Sequence, residues 1–85
     1  MIVFDTADIH VLATLVDHRV SHAGQTVEEA LDYTETYARE RFVPGDRTAS
    51  LLSAIGAVRE RVEVRAALDD QLALVSDRRR AMSGR

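Results

Sequence analysis

Apolar residues along this chain recur at the helical interval in successive blocks. Ile9, Leu12, Ala13, Val16 and Val20 stand three and four apart and share one face. Val27, Ala30, Leu31, Thr34, Tyr37, Ala38 and Phe42 form a second stripe, with Glu28, Glu29, Asp32, Glu35 and Arg39 on the opposite side. Each stripe must be covered by something, so the pattern predicts an all-α domain in which the first two segments form a helical hairpin.

The boundaries of that hairpin are written in local chemistry. Asp5 and Thr6 can cap the first helix, and Asp8 places negative charge in its first turn, where the helix dipole favours it. Gly24 follows the last periodic residue, the position at which a left-handed glycine ends many helices. Thr26 with Glu29 three residues later is a capping box. Pro44 then stops the second segment, because proline cannot continue the hydrogen-bond ladder and disfavours a helical Val43. The expected helices cover about 6–22 and about 27–42.

The third segment has no proline, and its one internal glycine, Gly56, weakens a helix by about 1 kcal/mol without ending it. It is expected to run as one helix over about 47–82, on the order of 50 Å long. Its apolar pattern rotates partway. Leu51, Ile55, Val58, Val62 and Ala66 lie along one side; Val64, Leu68, Leu72, Val75 and Met82 lie along another, roughly a third of a turn away at about 100° per residue. A straight helix cannot present both sets to one surface. Either the chain breaks near Asp69, or the second set serves another partner. The absence of glycine or proline there favours the long helix, with Val64, Leu68, Leu72, Val75 and Met82 as the interface of a homodimer.

Composition narrows the class. Eighty-five residues make a single domain, 1–85, in a size range where one core is barely sufficient, and no cysteine supplies a covalent staple. No apolar run is long enough for a membrane span, and "MIVFDTADIH" lacks the basic start and long apolar stretch of a secretory signal, so a cytoplasmic protein is expected. The final "SGR", residues 83–85, reads as a frayed end. All eleven basic residues are arginine, which GC-rich coding explains most simply. Residues 1–46 carry nine acids against three arginines and residues 47–85 carry five against eight, net −6 and +3. Such halves suit internal pairing or head-to-tail association.

Candidate chemistry is sparse. His18 and His22 share a helical face, but Arg19 stands where a zinc protease has its general base, and His10 lies about 12 Å away along the helix. The pair reads as a helix end, where ring donors answer free carbonyls; no metal site is expected. With Val11 and Leu15 the two histidines form a narrow stripe that could be a surface sensitive to pH near 6. There is no cysteine nucleophile, no serine motif and no glycine-rich phosphate loop, so no enzyme activity and no cofactor are implied. Arg59, Arg61 and Arg65 cluster, and could line the interior of a helical bundle enzyme, the one catalytic arrangement worth weighing. Arg78, Arg79 and Arg80 are candidate phosphate contacts for a nucleic acid, although clustered arginine near a helix C-terminus also answers the dipole. A helix-turn-helix is disfavoured, since its second helix would open on Glu28, Glu29 and Asp32.

The function expected from these residues is that of a small, non-enzymatic helical module for protein–protein interaction. It would act as a homo-oligomer, as accessory or regulatory proteins of bacteria and phages do; a nucleic-acid-associated protein using the C-terminal arginines is the alternative.

Overall fold

The computed structural model describes residues 6–83 and contains, among them, four α-helices and no strand. Helix α1 spans Thr6–Ala23, α2 Val27–Arg41, α3 Asp46–Glu60 and α4 Val62–Ser83. The all-α class stands, but the architecture of three helices with one long third helix is overturned by a break at Arg61. The capping role read for Asp5 and the chain end at 84–85 lie outside the described residues; Ser83 is still helical.

The turn between α1 and α2 follows its local signals. Gly24 has φ 69°, a conformation that costs a residue with a Cβ but not glycine. Thr26 Oγ1 accepts from Glu29 N–H at 3.1 Å, and Glu29 Oε1 accepts from Thr26 N–H at 2.9 Å, closing the capping box. Helix α2 ends at Phe42, extended at φ −77° and ψ 146°, two residues before Pro44.

The break between α3 and α4 needs a different explanation, because no glycine or proline marks it. Arg61 alone leaves the helical region, at φ −124° and ψ 120°. Its N–H still donates to the Ala57 carbonyl at 2.8 Å, while its own carbonyl accepts from Val64 at 3.1 Å and Arg65 at 3.0 Å. One residue therefore closes one helix and opens the next. The break forfeits roughly two backbone bonds in a solvated segment, each worth about 1 kcal/mol net. In return Val64 and Leu68 enter the same core as Leu51, Ala54, Ile55 and Val58. Burying two such side chains stabilises by about 1.5–3 kcal/mol each, so packing outweighs helix continuity. The β-branched Val62 and Val64 beside the joint weaken the helix there further.

The core sits around α1, which touches all three other helices and makes its most extensive contact with α4, with Leu12, Ala13 and Val16 fully excluded from solvent. Helix α4 follows α1 in the same direction: His10 meets Gln71 at 3.0 Å, and seven residues further on Asp17 meets Arg79. Leu72 and Val75 pack against the rim of this core. Of the residues expected at a dimer interface, Val64 and Leu68 are covered by α1 and α3 of the same chain, and Leu72 and Val75 pack partly buried at the core rim. Val62 and Ala66, assigned by periodicity to the α3 stripe, are exposed instead, and Met82 stands 75% exposed beyond the contact with α1.

Leu68→Ala should lower the unfolding free energy by about 2–5 kcal/mol in urea titrations. The urea midpoint of the wild-type chain should stay constant over about a hundredfold range of protein concentration. A midpoint rising with concentration would assign Leu68 to a subunit contact after all.

Candidate interaction surface

The structure ties the acidic and basic halves together within one chain. Arg59 donates to Glu35 at 2.6 Å and also to Asp32, and Arg65 reaches Glu28 at 2.9 Å and Asp69 at 3.1 Å. With Arg61, which pairs with Glu63, these arginines line an open groove between α2 and the α3–α4 joint rather than the interior of a bundle. Each guanidinium already faces a carboxylate. The Arg65 hydrogen bond holds Glu28 below the usual carboxylate value of 4.5, and hydrogen bonds from Arg59 and then Arg39 do the same for Glu35. A depressed folded value means that this stabilisation is full above 4.5 and fades as pH falls through the lower value.

The C-terminal arginines are mostly committed as well. Arg79 forks onto Asp17, Nε to Oδ2 at 2.9 Å and Nη2 to Oδ1 at 3.4 Å, and donates to Ser76 Oγ at 3.3 Å. The Asp17 side chain is only 10% exposed, so the pair fastens the far end of α4 to α1. Arg80 pairs with Asp77 at 2.8 Å on the surface, leaving Arg78 as the one member of the trio without a carboxylate partner among the described residues. Of the three candidate phosphate contacts, Arg79 is thus engaged with Asp17 on α1 and Arg80 with Asp77 on its own helix.

His18 and His22 stack with ring centroids 4.4 Å apart, and His22 Nδ1 lies 3.2 Å from the His18 carbonyl. That carbonyl lies one turn back within α1, inside its hydrogen-bond ladder. Among the described residues no group of three or more His, Cys, Asp or Glu side chains converges on a point where a metal ion could sit. No helix among them is long and apolar enough to cross a membrane.

A different surface assembles where α1 crosses α2. Leu15, His18, Arg19, Tyr33, Thr34, Tyr37 and Phe42 line an open cleft of about 240 Å3. Tyr33 and Tyr37, one helical turn apart, stack at 5.8 Å between centroids, and Phe42 meets Tyr37 edge-on at 5.8 Å. The Arg19 guanidinium covers the Tyr33 ring at 3.8 Å, with Arg41 over Tyr37 at 5.9 Å. Gln25 accepts from Arg19 Nε at 3.1 Å and steadies it. Tyr37, a member of the apolar stripe of α2, and Tyr33 one turn before it remain 42% and 40% exposed. The core stops at Thr34 and Ala38, and the tyrosines lie at its edge. Val11, 49% exposed, lines an adjoining groove that shares Phe42, and Val43 follows Phe42 in the chain at 83% exposure.

Sequence reasoning assigned Tyr37 and Phe42 to the core and passed over Tyr33. The available signal was the spacing of Tyr33 and Tyr37, one turn apart, with Arg41 one turn further on.

Two outcomes are expected. Asp17→Asn should cost about 1–3 kcal/mol in urea denaturation, with the double variant Asp17→Asn/Arg79→Leu losing less than the sum of the single losses; additive losses would mean that the contact contributes nothing specific. Arg59→Ala should cost no more than about 1 kcal/mol near pH 7, and the penalty should shrink in thermal melts as pH falls below the usual carboxylate value of 4.5. A penalty that did not change with pH would assign Arg59 to packing instead of charge.

No family model, curated protein or solved structure matches this chain, so the chemistry of the cleft must be read from its own side chains.

Proposed function

We propose that this protein is a small, non-enzymatic interaction module that binds another protein through the aromatic cleft between α1 and α2. The observation that carries this reading is the cluster of half-exposed Tyr33 and Tyr37 with Phe42, bordered by Arg19 and Arg41. Tyrosine and arginine are the side chains over-represented where partners bind, because each combines a large apolar body with a polar end. The rings lie on α2 and its C-cap, which the shared core anchors, so they are held in place before any partner arrives. A contiguous apolar area of this kind, rimmed by polar groups, is the usual mark of a contact site. The module acts as a cytoplasmic accessory protein of a bacterium or phage; its cysteine-free, lysine-free composition supports that setting.

The test is affinity co-purification from the source organism, comparing wild type with Tyr33→Ser/Tyr37→Ser after circular dichroism has shown equal helicity. A partner recovered in near-stoichiometric amount with wild type and lost from the double variant is the expected result. Identical recoveries from both proteins would remove the cleft from the interaction.

A further inference from the structure

We infer that the cleft accepts an acidic segment of a partner protein, one in which aliphatic or aromatic anchors are flanked by carboxylates. The inference rests on the interaction reading above and adds the chemistry of what is bound. Six arginines of the described chain face a carboxylate within salt-bridge distance. Arg19 and Arg41 do not; they stand over the two tyrosines instead. No aspartate or glutamate lines this cleft, whose other polar members are His18 and Thr34. The adjoining groove differs, since its Arg47 has Asp8 and Asp46 beside it. Two cations without an internal counterion, Arg19 and Arg41, therefore stand together at the aromatic cleft, with Arg78 apart on α4, although the protein as a whole is acidic.

The arrangement discriminates between occupants. A second copy placed symmetrically would set Arg19 and Arg41 against their own images, a like-charge contact that costs affinity. A second copy placed head to tail would give up the Arg59 and Arg65 pairing to offer Glu28, Asp32 or Glu35, and the approach of its other surface acids, such as Glu60 and Asp70, is what light scattering tests. A single-stranded nucleic acid would need open ring faces for its bases, but the tyrosines use faces on each other and on the guanidinium groups. A partner segment needs less: carboxylates for the outer edges of Arg19 and Arg41, and one apolar side chain to enter beside Leu15, Tyr37 and Phe42.

The experiment uses the full chain and fluorescence anisotropy. The probes are a labelled peptide of about 16 residues with leucine and phenylalanine anchors one helical turn apart among glutamates, its glutamine and lysine counterparts, and a labelled oligothymidylate. The glutamate peptide is expected to bind at least about tenfold more tightly than the glutamine version, and the lysine version not at all. Arg19→Gln/Arg41→Gln should weaken the glutamate peptide by at least about tenfold, while Arg78→Gln on α4 should leave it unchanged. Equal binding of the glutamate and lysine peptides, no binding of any peptide, or preferential binding of the oligonucleotide overturns the inference. So does a dimer in light scattering that Tyr37→Ser dissociates. Where a co-purified partner is lost from the tyrosine variant but retained by the Arg19→Gln/Arg41→Gln variant, the cleft remains an interaction site and only its preference for acid is refuted.

Discussion

A chain of this size can fill only one apolar core, and the need for all four helices to share it governs the rest of the structure. Helix α1 meets that need. Leu12, Ala13 and Val16 are completely covered, and each neighbouring helix contributes to the cover. The small Ala13 on α1, Ala30 and Ala38 on α2, and Ala54 on α3 are all buried, which lets backbones approach closely without large side chains between them. What remains for the surface is whatever the shared core cannot reach: the tyrosine edge of α2 and the outer side of α4.

The charges are divided in a corresponding way. Acids of the first half and arginines of the second meet across helix boundaries at Glu28, Asp32 and Glu35, and again at Asp17. The surface pairs are screened and individually worth little, but they fix which sides of the helices face one another. Asp17 with Arg79 is the more consequential contact, because the carboxylate is nearly enclosed and would be costly without its partner. The guanidinium groups of Arg19 and Arg41 belong to no such pair, so the aromatic cleft differs from the other grooves in chemistry more than in shape.

Much of this fold was legible in the residue order. The α1–α2 turn and the end of α2 were readable because Gly24, Thr26, Glu29 and Pro44 act through local hydrogen bonds and backbone preference, which neighbouring residues alone determine. The rotation of the apolar pattern along the third segment was readable too, although the first stripe was carried on through Val62 and Ala66 and a break, if any, was placed near Asp69 instead of Arg61. Its resolution was not readable. Arg61 carries no breaking propensity, and only the distant core formed by α1 favours a bend there, so the decisive energy is tertiary. The cleft escaped notice for a related reason. Periodicity places Tyr33 and Tyr37 near the apolar side of α2, but whether a ring at the edge of a stripe is covered depends on how α1 crosses above it.

The α3–α4 joint tolerates substitution more readily than a change in length. Arg61 has its side chain in solvent and contributes to the bend through its backbone, so many residue types can replace it. Its position in the count is another matter. One residue added or removed there would turn α4 by about 100° relative to α3, carrying Val64 and Leu68 out of the core and Arg79 away from Asp17. The joint is therefore a phase-setting element: the backbone at residue 61 keeps two helical periodicities in step around α1.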